Sequence, residues 1–266
     1  IMQRLLTYRF SEGVLAGQSF GNLILAALNG VTGSFEEAVR QMSQVLAITG
    51  QVIPVTSADV QLEAVFENGT QVVGESKICD FKKQQDCRIH HVNLIPAKPE
   101  PLPSALEAIR DADLILLGPG SLYTSVIPNL LVEGVPQAIA ETDALKIYIC
   151  NIMTQDGETE GYTAADHVQA LMEHGAPGMV DLCLANCAPV PENLLGRYEE
   201  EGAVPLVVDR ERIAAMGLEL VERPVAREKG DFARHDPDKL AEAVLDIYRQ
   251  RAMRIFRGKN RYIIEE

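Results

Sequence analysis

A short apolar run, Asp113 to Leu117, breaks directly into Gly118-Pro119-Gly120-Ser121 and then into hydroxyls and a second apolar stretch. Strand, glycine turn and helix start, in that order, form the junction of open α/β sheets, where ligands settle at the carboxyl ends of strands. A second junction of this kind lies at Lys146 to Cys150, a strand running into Asn151-Ile152-Met153-Thr154-Gln155-Asp156. Helical and strand patterns alternate along the chain, which assigns it to the α/β class.

The periodicity predicts a first helix over Ser19 to Leu28, with Leu23, Ile24, Ala27 and Leu28 on one face and Gly30 as its stop. Ser34, with Glu37 three residues later, opens a second whose stripe is Ala38, Met42, Val45 and Leu46. Residues 51–95 read differently: Gln51–Val55, Val60–Phe66, Gln71–Ser76 and Arg88–Ile95 are short and β-rich, and Asn68-Gly69 is a hairpin turn. This is the pattern of a small antiparallel insert or edge. Four prolines between Pro96 and Pro103 make an extended connector. Ser104-x-x-Glu107 and Thr163-x-x-Asp166 cap two further helices, the second carrying Val168, Leu171 and Met172. Val180–Ala185 and Val204–Val208 are further strands, and Asp236-Pro237 starts the last helix. There is no internal repeat and no low-complexity linker, so a single domain over 1–266 is expected.

Charge and hydropathy exclude several classes. The net charge of −14 argues against nucleic-acid binding, which needs excess Lys and Arg. No apolar run reaches the roughly 18–20 residues of a membrane span. The first residues, Ile1-Met2-Gln3-Arg4-Leu5-Leu6, lack the apolar core and cleavage site of a signal peptide. No membrane partner is expected, and a cytoplasmic location is. Five cysteines, an odd number, include Cys150 and Cys183 in apolar runs and read as buried thiols in a reducing compartment. Cys183-x-x-x-Cys187 has no second pair or nearby His cluster, so no metal site is expected. The tail over 249–266 carries Arg249, Arg251, Arg254, Arg257, Lys259 and Arg261 with no acid between the first and the last of them, as a solvated helix end or as a surface for an anionic partner.

The candidate ligand residues sit at the junctions. Gly118, Gly120 and Ser121 offer backbone N–H groups to an anion, or form a tight turn that only reverses the chain. Asn151, Thr154 and Gln155 are placed to grip sugar or phosphate oxygens, or to cap their loop. Ser19 and Asn22 are helix-start residues or phosphate contacts. Arg234, just before a helix start, suits an anionic ligand. Tyr198 is a half-buried aromatic or a ring platform, and packing explains it and Arg234 least. For catalysis the chain is thin: no Ser-His-Asp set is legible, His167 lies inside a predicted helix, and His90-His91 lies on a strand.

Three segments together, Gly17-Gln-Ser-Phe-Gly-Asn22, Gly118-Pro-Gly-Ser-Leu-Tyr-Thr-Ser-Val-Ile-Pro-Asn-Leu-Leu131 and Asn151-Ile-Met-Thr-Gln-Asp-Gly-Glu-Thr-Glu-Gly-Tyr-Thr-Ala-Ala-Asp-His167, resemble the YvcK-like gluconeogenesis factors. These are relatives of the 2-phospho-L-lactate transferase CofD, and the resemblance runs from about Leu5 to about Tyr248. It implies a Rossmann-like three-layer α/β sandwich with a mostly parallel sheet and a small antiparallel β insert. It also implies a cytoplasmic protein that binds UDP-sugars, chiefly UDP-N-acetylglucosamine, and supports cell shape and wall synthesis during gluconeogenic growth. Tyr198 and Arg234 match positions linked in the family to nucleotide-sugar binding. The family pattern begins with a strand running into Gly-Gly-Gly-Thr-Gly and then Asp-Asp-Gly-Gly-Ser. Neither occurs in this chain. The first βα units and part of the pocket are therefore expected to be missing. The resulting expectation is a non-enzymatic regulator with no cofactor, a UDP-sugar as partner and a homo-oligomer left open. The alternative is a CofD-like transferase acting on a deazaflavin, which needs a divalent metal.

Overall fold

The computed structural model describes residues 1–85, 87–200, 202–230 and 232–261, with the backbone alone at Gln3, Arg197, Glu199 and 254–261. The expectations placed on Arg254, Arg257, Lys259, Arg261 and residues 262–266 as a basic surface lie outside the described side chains.

Three helices come first: α1 (Met2–Leu6), α2 (Phe20–Thr32) and α3 (Phe35–Val45). Ser19 caps α2, its hydroxyl oxygen accepting from the Asn22 N–H at 3.2 Å, and Ser34 caps α3 through the Glu37 N–H at 3.4 Å. The stop of α2 is Gly33, which holds a left-handed φ of +70°, and not Gly30, which stays helical. On α3 the buried pair is Ala38 and Val39, while Val45, expected on the stripe, is exposed. No strand forms over 51–55; the Val55 carbonyl accepts the Leu102 N–H, and no ladder follows.

The segment 61–95 is the expected antiparallel piece. Strands β1 (Gln61–Phe66), β2 (Gln71–Val73) and β3 (Ile89–Ile95) pair in the order β2-β1-β3, with Ala64 opposite both Val72 and Val92. Helix α4 (Glu75–Gln85) interrupts it, packing Phe81 on Phe66 with ring centroids 4.6 Å apart. Here β2 stops at Val73 rather than Ser76: Gly74 turns the chain, and its carbonyl accepts the Ile78 N–H that begins α4. Helix α5 (Pro103–Arg110) starts on a proline, so Ser104 lies in the first turn and not at the cap.

The parallel sheet follows. Strand β4 (Leu114–Leu117) leads through a π-helical turn, Leu122–Val126, into α6 (Ile127–Leu130) and α7 (Val135–Glu141). Then come β5 (Leu145–Ile149), α8 (Ala164–His174), β6 (Leu182–Asn186), α9 (Glu192–Glu200), α10 (Arg210–Ala215) and β7 (Glu219–Arg223). The order β4-β5-β6-β7 is parallel throughout, with Leu117 opposite Tyr148 and Ile149 opposite Leu184. A hairpin of β8 (Ala226–Lys229) and β9 (Phe232–His235) precedes α11 (Pro237–Arg261). Alternation along β5 sends Leu145, Ile147 and Ile149 into one core with Leu182, Leu184, Val244 and Ile247, so α11 covers that sheet face. Tyr148 points the other way and is also buried. Each such aliphatic side chain contributes roughly 1.5–3 kcal/mol on burial.

The segment 204–208 is not a strand. It makes single bridges, Met153 to Pro205 and Thr163 to Val207, and Pro205 has no N–H with which to extend a ladder. Met172, expected on the buried face of α8, is exposed. By its contacts the chain forms two compact units, Ile1–Asp59 with Glu100–Glu107, and Val60–Pro99 with Ala108–Glu266. The second is the α/β body, a parallel sheet with helices and a separate small antiparallel sheet.

Candidate functional site

Past the carboxyl ends of β4 and β5 lies a cleft of about 910 Å³, built wholly from the second unit. Gly120 and Ser121 line it from the first junction, and Asn151, Thr154 and Gln155 from the second. Tyr198 and Arg234 complete the wall. A cleft of similar volume, about 980 Å³, opens at the opposite end of the sheet beside Asp113, Leu145 and Asp181. Ligands of open α/β sheets bind at carboxyl ends, so the first cleft is the candidate.

The two junctions are tied together. The Ser121 hydroxyl donates to the Gln155 side-chain oxygen at 2.7 Å, although 34 residues separate them. Gly118 just precedes the cleft wall. Its φ is +86°, and a Cβ there would stand 3.1 Å from the Ile149 carbonyl oxygen, so only glycine fits without strain. Gly120 is less constrained: a Cβ would meet Ser125 and Val126 at 3.4 and 3.6 Å, ordinary contact. Among the described residues no acceptor takes the N–H of Gly120 or Ser121.

A further carboxylate, missed by the sequence reading, holds the helical turn. Glu158 is fully buried and accepts from the Tyr123 N–H at 3.3 Å and from the Thr124 hydroxyl at 2.6 Å. Burial pushes its pKa up, against the pull of those hydrogen bonds. The turn start at Tyr123 is thus satisfied by the protein itself, which leaves Gly120 and Ser121 as the donors available to a ligand. Glu158 stood in the second motif as one acid among many, and only its burial distinguishes it.

The second loop closes on itself. The Thr159 hydroxyl accepts the Gln155 N–H at 3.0 Å, and Glu160 accepts from the Gly157 N–H. The Thr154 hydroxyl is engaged with the Val204 backbone, accepting its N–H at 2.9 Å, so it braces the loop. The Asn151 side chain lines the cleft and makes no hydrogen bond among the described residues. Lys83 of α4 pairs with Asp156 at 2.6 Å, which raises the lysine pKa and neutralises that part of the wall.

Tyr198 is explained by packing after all. Its ring sits with Ile152, Met153, Leu194, Ala203 and Ala233 in a core cluster, and its hydroxyl accepts the Ala233 N–H at 2.9 Å. Only part of its surface meets the cleft. Arg234 is exposed, its guanidinium 5.0 Å from the Phe232 ring centroid, with no ion pair among the described residues. His235, next to it, also lines the cleft; its Nε2 lies 3.2 Å from the Cys150 carbonyl, and burial lowers its pKa. Asp236 caps α11 as expected, accepting the N–H groups of Asp238 and Lys239. Ser19 and Asn22 belong to the first unit, where they form the cap of α2.

The described residues contain no group of three or more His, Cys, Asp or Glu side chains arranged to hold a metal ion. All five cysteines are free, with Cys150 and Cys183 buried and Cys187 exposed. No described helix is long and apolar enough to cross a membrane.

Known proteins place this arrangement in a family. The profile described as 2-phospho-L-lactate transferase CofD matches residues 1–226. The gluconeogenesis factor of Bacillus subtilis is 44% identical over 251 residues, covering 94% of this chain and 78% of that protein. The gluconeogenesis factor of Halalkalibacterium halodurans is 43% identical over 247 residues, covering 92% and 76%. A crystal structure of a Bacillus halodurans protein superposes with a TM-score of 0.87 at 43% identity, covering 92% of this chain and 78% of that one. The chain belongs to the CofD family, among its relatives named gluconeogenesis factor.

Proposed function

We propose that this chain is a nucleotide-sugar-binding regulatory protein of the cytoplasm. It takes UDP-N-acetylglucosamine in the cleft and acts on cell shape and cell-wall synthesis during gluconeogenic growth. The observation that carries this reading is the convergence of donors in one cleft: the free N–H groups of Gly120 and Ser121, the Asn151 amide and the Arg234 guanidinium. Backbone N–H groups and a forked cation suit a diphosphate, and the part of Tyr198 that lines the cleft suits contact with a flat ring. A volume of about 910 Å³ lies within the range of small-molecule sites. The name borne by the relatives, gluconeogenesis factor, supports the link to gluconeogenic growth.

Calorimetry with UDP-N-acetylglucosamine tests it, followed by chromatography of the recovered ligand. Saturable binding and an intact ligand are expected, and absence of binding ends the reading. The description of the family favours a second one, a CofD-like transfer of a phospholactyl group onto a deazaflavin. That chemistry calls for a divalent metal with acidic ligands. Steady product formation in an assay with added metal would decide for the transferase.

A further inference from the structure

The cleft does not end at Arg234. It continues past Pro119 into a second lobe of about 550 Å³, which shares Pro119, Phe232, Arg234 and His235 with the first. In the hairpin Arg227 stands directly opposite Arg234, and Lys229 opposite Phe232. Strand alternation puts these four on one face and Glu228 on the other. Among the described residues no carboxylate lines this lobe, although the chain as a whole carries a net charge of −14.

Two observations make the arrangement costly as it stands. Like charges directly opposite on an antiparallel pair repel. The Nε of Arg227 is buried and has no acceptor among the described residues, and a buried donor without a partner is unfavourable. Neither guanidinium has an ion pair among the described residues. An anion between the two guanidiniums would replace that repulsion with charge-assisted hydrogen bonds.

We propose that Arg227 and Arg234 form a two-armed clamp for a phosphoryl anion. The ligand of the cleft then extends past Arg234 and sets the phosphate farther from its nucleoside between the two guanidiniums. Forked N–H donors match tetrahedral oxyanions better than a point charge does. The placement of the rest of the ligand rests on the nucleotide-sugar reading, whereas the clamp itself needs only a phosphoryl group.

Inorganic pyrophosphate is therefore the first probe, titrated into the whole chain by calorimetry. The unaltered chain is expected to bind it, and Arg227→Gln to weaken binding at least tenfold. Arg227→Lys keeps the charge, loses the fork and should recover only part of the affinity. No pyrophosphate binding by the unaltered chain overturns the clamp, and so does unchanged affinity in a folded Arg227→Gln variant. Circular dichroism and Tm report folding; if the glutamine variant does not fold, Arg227→Lys carries the test, with wild-type affinity as the overturning result. UDP-N-acetylglucosamine separates the two readings. A chain that holds pyrophosphate through Arg227 but rejects the nucleotide sugar keeps the clamp and loses the nucleotide-sugar reading. Equal nucleotide-sugar affinity with and without Arg227 does the reverse.

Discussion

Gly118 and Gly120 stand two residues apart in one turn, yet the backbone asks different things of them. At Gly118 the left-handed φ of +86° and the close Ile149 carbonyl both oppose a side chain. Gly118→Ala should cost about 1–2 kcal/mol in urea unfolding, near the penalty for a left-handed L-residue. Gly120 accepts a Cβ at ordinary contact distance, so Gly120→Val should fold and instead crowd the cleft it lines. Calorimetry is expected to show nucleotide-sugar affinity down about tenfold, near 1.4 kcal/mol; unchanged affinity would make the turn structural only. Tyr198 needs a different test, because it is both core and wall. Tyr198→Ala should lose about 3–5 kcal/mol of stability as a large buried side chain is removed. Tyr198→Phe keeps the ring and gives up the bond to the Ala233 N–H, for roughly 1 kcal/mol. If the phenylalanine variant is as stable as the unaltered chain, that bond contributes nothing.

At the scale of elements, α8 shows how a local signal and a distant partner combine. The Thr163 hydroxyl accepts the Asp166 N–H at 3.3 Å while the Asp166 carboxylate accepts the Thr163 N–H at 2.8 Å, the reciprocal box that the sequence pattern announces. Asp209, 44 residues from Ala165, adds its own bond to the Ala165 N–H at 2.9 Å, and Arg212 spans Asp166 and Asp209. Burial alone would raise the Asp166 pKa, but the bonds from Thr163 and Arg212 outweigh it and hold the carboxyl below its ordinary 3.8. Its stabilisation is therefore complete above that value and is lost as pH falls through the lower, folded one. Thr163→Ala should cost about 1 kcal/mol, the usual loss for a helix cap, measured by denaturant unfolding at neutral pH. A neutral result would mean that Asp209 suffices without the box.

Over the molecule as a whole, three histidines work in one direction. His167, His174 and His235 are all held below the ordinary 6.5, in each case by burial against the pull of a backbone hydrogen bond. His174 accepts the Val92 N–H on Nε2, a bond that protonation would break, and Nε2 of His167 is buried without a partner among the described residues. Below about pH 6.5 the unfolded chain binds more protons than the native one, so stability falls with pH, by at most about 1.4 kcal/mol per pH unit for each histidine. Glu158 opposes this: its raised pKa means that native stability grows as pH falls toward 4.5. Three groups against one predict lower stability at pH 5.5 than at pH 7.5, with His174→Gln flattening the slope. Urea unfolding at the two pH values measures it, and a rise toward pH 5.5 would show that Glu158 prevails.

What could be determined from the sequence rests on interactions that span a few residues. The caps at Ser19, Ser34, Thr163 and Asp236 were legible because a side chain meets a backbone N–H two or three positions on. The strand-to-turn junctions at Gly118 and Asn151 were legible because apolar runs ending in glycine or short polar residues have few other uses. Local pattern failed where long-range pairing decides: residues 51–55 and 204–208 have β-rich composition but no ladder partner, and Val45 lies on the exposed side of its helix. The bond from Ser121 to Gln155, the burial of Glu158 beneath Tyr123 and the packing of Tyr198 on Ala233 each join residues 34 or 35 positions apart. No spacing in the chain announces them. Arg227 is the clearest instance, since only the hairpin register sets it opposite Arg234 and only the folded chain buries its Nε without an acceptor among the described residues.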